Sequence, residues 1–88
     1  MAIIDSWPVE ISLREEGGKT LADAQLTSGG AGKIGHGLAR RNPDDLEVTQ
    51  IGEEIAAARA LSDLAHQLLG EAAEQIESIT HKRAHLSL

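Results

Sequence analysis

From Trp7 to Arg14 apolar and polar residues alternate, with Trp7, Val9, Ile11 and Leu13 interleaved with Pro8, Glu10, Ser12 and Arg14. That two-residue period predicts a strand with one face toward a core. Pro8 lacks a backbone donor, which suits a strand start or an edge. Glu15-Glu16-Gly17-Gly18-Lys19 reads as a hairpin turn, because paired glycines accept the positive φ that such turns require. The next run sets Thr20, Ala22, Ala24 and Leu26 against Asp23, Gln25 and Thr27, and its small apolar face leaves room for a helix to approach closely. Ser28-Gly29-Gly30-Ala31-Gly32 predicts a second turn and Lys33 to Arg41 a third strand. On that strand Ile34, His36, Leu38 and Arg40 oppose Gly35, Gly37, Ala39 and Arg41, and the pattern leaves open which set meets the helix. Asn42-Pro43-Asp44-Asp45 forms the turn that follows.

Beyond that turn the period changes. At 100° per residue, Ile51, Ile55, Ala57, Ala58, Leu61, Leu64, Ala65, Leu68 and Leu69 gather within about half a turn, the wide stripe of a core helix. Glu53, Arg59, Asp63 and Gln67 fall opposite. This winding predicts that Leu61 and Leu64 are buried against Ala22, Ala24 and Leu26. Thr49 is the expected N-cap, and Glu47, Glu53 and Glu54 stand before or within the first turn, where carboxylates favour the helix dipole. Gly70 costs about 1 kcal/mol inside a helix and predicts a kink or a stop. Ala72, Ala73, Ile76 and Ile79 then resume the spacing as a second, shorter helix. The expected architecture is α+β: a three-stranded antiparallel sheet (β-β-β) followed by one long helix and a shorter C-terminal helix. Residues 1–6 form an extension, 7–80 the single domain and 81–88 a tail without assignable period.

An 88-residue chain is near the size at which one core is only marginally stabilising, so self-association would help it. The sheet has two faces and the helices cover one, which predicts a homodimer. Trp7 is the sole aromatic residue, too few rings for a base-stacking binder of single-stranded nucleic acid. The net charge of −6 argues against a strongly basic nucleic-acid or membrane module. It is unevenly spread: residues 1–45 carry five basic and seven acidic groups, 46–77 one and seven, and 78–88 two basic groups and no acidic one. Without cysteine there is no thiolate or disulfide chemistry. Apolar segments fall short of the roughly 20 residues that a membrane span needs, and Met-Ala-Ile-Ile-Asp lacks the basic start of a signal peptide. Cytoplasmic location is the expectation.

Candidate chemistry is sparse. Gly29-Gly30-Ala31-Gly32-Lys33-Ile34 resembles a phosphate-binding loop in outline, yet Thr27 replaces its first glycine, Ile34 replaces its magnesium-holding hydroxyl residue, and a strand follows it. A hairpin turn is the simpler reading. Arg40, Arg41, Lys33, Arg14 and Lys19 are the candidate nucleic-acid contacts, because phosphate binding needs clustered Lys or Arg to displace counterions. The plain alternative pairs Arg40 and Arg41 with Asp44, Asp45 or Glu47. His81 and His85 have the four-residue spacing of a two-ligand metal site on one helix face, but two histidines near a chain end make a poor site. His36 and His66 have no sequence-adjacent partner, and His36 reads as a packed strand residue or a subunit contact. Glu54 falls in the apolar arc, yet its place in the first turn predicts solvation or pairing with Arg40 or Arg41. No cofactor is implied, and no nucleophile–base pair or three-ligand metal set can be named, so an enzyme is not expected.

The blocks Gly35-His36-Gly37-Leu38-Ala39-Arg40-Arg41-Asn42-Pro43-Asp44, Ile51-Gly52-Glu53-Glu54, Ala58-Arg59-Ala60-Leu61-Ser62-Asp63-Leu64-Ala65 and Ile76-Glu77-Ser78-Ile79-Thr80-His81 occur in that order. Through them the chain resembles, over about residues 7 to 86, the small dsRBD-like proteins of unknown function found mainly in actinobacteria, some associated with dormancy or stress. The resemblance implies a three-stranded sheet followed by helices, a dimer, and a fold-level likeness to ribosome hibernation factors. His36 departs from it, standing where an aliphatic residue is expected; Leu21 and Asp23 stand where relatives carry basic residues. Two functions follow as expectations: a stress- or dormancy-linked module touching the ribosome or structured RNA through the sheet half, or a homodimeric protein-interaction or structural module without nucleic-acid binding.

Overall fold

The computed structural model describes residues 2–27, 32–40 and 49–88. Three strands, β1 (Val9–Glu16), β2 (Lys19–Leu26) and β3 (Ile34–Arg40), form an antiparallel sheet in the order β1-β2-β3, and one helix, α1 (Thr49–Thr80), lies across it. Gly17 and Gly18 make the first hairpin with φ of 51° and 77°. Two successive positive φ values twist the turn to match the right-handed twist of the strands, a conformation only glycine adopts cheaply. The register sets Ala22 beside Leu13 and Gly37, and Ala24 beside Ile11 and Gly35. Directly opposed residues share a face, so these six side-chain positions point toward the helix.

The core is small in every sense. Ala22, Ala24, Leu26 and Ala39 from the sheet meet Ala56, Ala60 and Leu64 from α1, with Leu68 packed at the margin. Glycine makes this contact possible. A Cβ at Gly35 would lie 2.6 Å from the Leu64 backbone nitrogen and collide with the Ala60 carbonyl, and one at Gly37 would collide with the Ala56 carbonyl and the Ala60 nitrogen. The glycine face of β3 is therefore the one that meets the helix, the point the alternation pattern left open. On the helix side, a Cβ at Gly52 would come within 2.8 Å of Thr20 Oγ1.

Three expectations are corrected. Gly70 neither kinks nor ends the helix: α1 runs unbroken for 32 residues, so the shorter C-terminal helix does not exist as a separate element. Gly70 is exposed, with nothing within 4 Å of where its Cβ would be, and Leu68, Leu69, Ala72 and Ala73 around it are good helix formers without proline. The stop comes at His81, whose φ of 57° puts it in the left-handed region while its N–H still donates to the Glu77 carbonyl at 2.8 Å. Thr49 is the first helical residue, and the first turn carries no acidic side chain. Finally, the helix is wound differently from the apolar stripe. Ala56, Ala60 and Leu64 face the sheet, roughly 130° around the axis from the middle of the stripe at 100° per residue. Leu64 is buried as predicted, but Leu61 is 42% exposed. Large side chains cannot enter a contact whose spacing is fixed by glycine and alanine backbones, so the small residues take the sheet. The turns expected at 28–31 and 42–45, and Arg41 and Glu47, lie outside the described residues.

Candidate functional site

On the β3 side of the helix, residues predicted to face solvent do structural work. Arg59 Nη1 donates to the Leu38 carbonyl at 2.7 Å, Asp63 Oδ2 accepts from the His36 N–H at 2.8 Å, and Gln67 Nε2 donates to the Ile34 carbonyl at 2.8 Å. Four helical residues advance the chain by about 6 Å. Two strand residues advance it by about 6.6 Å. The row 59-63-67 therefore keeps step with 38-36-34 on the outer edge of β3, and these bonds occupy backbone groups that would otherwise template another strand. The bond from His36 N–H holds the Asp63 carboxyl below the usual carboxylate range, with help from Gln67 Nε2 at 3.3 Å.

The outer face of the sheet, away from α1, carries most of the predicted basic residues. Glu16, Lys19 and Arg40 form one cross-strand row, and Arg14 stands in the next with Leu21 and Leu38. Arg14, Lys19 and Arg40 are thus brought to one end of this face. Arg14 lies 3.5 Å from Glu16 and 3.2 Å from Asp23, so carboxylates sit within the cluster. Lys33 does not join them: its Nζ lies 3.1 Å from Glu71 on the helix side. The same ion pair occupies the lysine of the phosphate-loop look-alike, and strand β3 follows directly.

His36 is neither packed nor aliphatic in surroundings; it is exposed, and its Nδ1 lies 2.7 Å from Asp23 Oδ1. Ser12, Asp23 and His36 occupy one row across three strands. The aspartate stands between serine and histidine, whereas activating a serine requires the histidine in the middle. The hydrogen bond with His36 is the main cause holding the Asp23 carboxyl low, and Arg14 adds to it. His66 Nδ1 is 2.7 Å from the Ser62 carbonyl one turn below. Because α1 ends at Thr80, His81 and His85 share no helix face, and among the described residues no group of three His, Cys, Asp or Glu could hold a metal. Glu54 is exposed and accepts from Gln50 Nε2 at 3.1 Å.

The largest unsatisfied feature is apolar. Val9, Ile11 and Leu13 project from β1 on the helix side of the sheet, yet they are 40%, 36% and 41% exposed because the single helix covers β2 and β3. Leu61 and Leu68 lie on the flank of α1 opposite the Arg59-Asp63-Gln67 row, and so toward β1. Ile51, Ile55 and Ile76 are exposed on the surface of the helix turned away from the sheet. The alternation in β1 was legible in the sequence; its lack of a cover was not, because two helices had been expected. No helix is long and apolar enough to cross a membrane among the described residues, which leaves protein as a cover to consider for this surface.

The Rv2632c-like family model matches residues 5–85. An uncharacterised protein of Mycobacterium bovis, Mb1767, is 43% identical over 84 residues, covering 96% of this chain and 89% of its own. The uncharacterised Mycobacterium tuberculosis protein Rv2632c is 45% identical over 74 residues, covering 84% and 80%. The crystal structure of Rv2632c superimposes with a TM-score of 0.82 at 41% identity, over 92% of this chain and 96% of the other.

Proposed function

From a chain that belongs to the Rv2632c-like family, we infer a non-enzymatic protein-interaction module that acts as a homodimer. The observation that carries this reading is the uncovered apolar row Val9, Ile11 and Leu13 on the face where the core lies. In a sheet of this size such a row is half a core. Contiguous apolar surface of this kind is uncommon on monomers and marks interaction sites. Any part in stress or dormancy would then be exercised through a bound protein surface.

A rival reading, contact with the ribosome or structured RNA, draws support from Arg14, Lys19 and Arg40 at one end of the outer face. Glu16 and Asp23 within the same cluster weaken it, since phosphate binding depends on net positive charge. Sedimentation equilibrium at micromolar concentration and physiological salt tests the first reading: a species of twice the 9.3 kDa chain mass is expected, and a monomer overturns it. Co-sedimentation with ribosomes at low salt tests the second. Salt-sensitive binding that is lost when Arg14, Lys19 and Arg40 are all replaced by Ala would decide for RNA.

A further inference from the structure

The outward surface of α1 has an order that the fold of one chain does not use. Taking Ala65 as a centre, alanine recurs seven residues to either side, at Ala58 and Ala72. Leucine stands four to either side, at Leu61 and Leu69, and Leu68 adds to the cluster. Isoleucine stands 14 to either side, at Ile51 and Ile79, with Ile55 and Ile76 at 10 and 11. Side-chain size therefore reads nearly the same in both directions along the helix. A parallel pair gains nothing from such a palindrome, because each residue meets its own copy whatever the order. An antiparallel two-fold pair requires it, because each residue meets the one equally far beyond the centre.

Resting on the reading of the chain as a homodimer, we propose that the partner of this surface is the α1 helix of a second copy, antiparallel and centred on Ala65. The small residues at Ala58, Ala65 and Ala72 let the two helices cross closely at the middle, as alternating small and large positions do in packed helices. Leu61 of one chain meets Leu69 and Leu68 of the other, and Ile51 and Ile55 meet Ile79 and Ile76. The flank formed by Leu61 and Leu68 faces β1, so a helix laid there also covers Val9, Ile11 and Leu13. One contact thus closes both exposed apolar features. The span from Ile51 to Ile79 is about 42 Å at 1.5 Å per residue, ample for an interface of ordinary size. Among flanking groups, Glu54 meets the neutral Gln75 of the second copy and not another carboxylate.

The chain has no cysteine, so disulfide trapping reads the arrangement without background. Ala65→Cys is expected to form a homodimeric disulfide under mild oxidation, since only cysteines with Cα atoms within about 7 Å can be joined. Ile51→Cys alone should not cross-link, whereas its mixture with Ile79→Cys should. Leu61→Glu, at an exposed position of the isolated fold, should retain its circular dichroism and raise the dimer dissociation constant at least about thirtyfold, the effect of losing an interface anchor worth 2 kcal/mol. A dimer in which Ile51→Cys links to itself and Ala65→Cys does not, or in which Leu61→Glu leaves dissociation unchanged, overturns this arrangement and leaves the homodimer standing. A wild-type monomer overturns both.

Discussion

At the scale of single residues, the fold depends on atoms that are missing. Gly35 and Gly37 let helix and sheet backbones touch, and restoring even one methyl group there must push the layers apart. Gly37→Ala is expected to destabilise by about 1–3 kcal/mol or more in a reversible urea melt, the usual cost of overpacking, despite the better strand propensity of alanine. The two depressed carboxylates set the acid limit. Asp23 and Asp63 both titrate below their ordinary value of 3.8 in the folded chain. Their contribution to stability is thus present above about pH 4 and is lost as pH falls through the lowered folded values. A pH series of thermal midpoints should show this acid decline, shallower in Asp63→Asn, which keeps an acceptor for the His36 N–H but does not titrate. Asp63→Ala should also speed amide hydrogen exchange at His36, because the capped edge of β3 is then open to water.

At the scale of elements, α1 serves three directions at once. Its smallest residues face the sheet, its polar row 59-63-67 closes the β3 edge, and its bulkiest apolar residues face outward. Leu64→Ala should cost about 2–5 kcal/mol, as for any buried leucine emptied of its side chain. Gly70→Ala should go the other way. The site is exposed, helical and free of neighbours, so alanine is expected to raise stability by about 0.4–1 kcal/mol through a less flexible unfolded chain. A loss of stability at that position would mean that the glycine serves a close contact in the assembled state.

For the whole molecule, 52 Å in its longest dimension, one helix covers two strands of three and extends past them. The resulting shape is a half-core beside an open ledge. If a second copy completes it, stability must depend on concentration: the thermal midpoint of the wild type should rise with protein concentration, while that of an Ile11→Glu, Leu13→Glu double variant should not. A midpoint independent of concentration in the wild type, measured across the dissociation range, would count against assembly as part of the fold.

Three strands, their antiparallel order and the long helix were legible in the sequence because alternation, paired glycines and 100° periodicity are local properties. Trp7 to Arg14 alternates whether or not anything covers it, and Gly17-Gly18 turns by its own φ preference. Rotation of the helix was not legible. Periodicity finds the face with the greatest apolar bulk, but the sheet selects the face that fits against Gly35 and Gly37, and here the two differ. Gly70 misled for the same kind of reason: propensity weighs one residue, whereas continuity of α1 is a property of all its neighbours. The basic residues were visible as charges, but only the register placed Arg14, Lys19 and Arg40 together and sent Lys33 to Glu71. Sequence by itself determined the elements and their chemistry; tertiary structure decided which surface each element turns inward, because close packing depends on shape at a contact and shape is not written in any one segment.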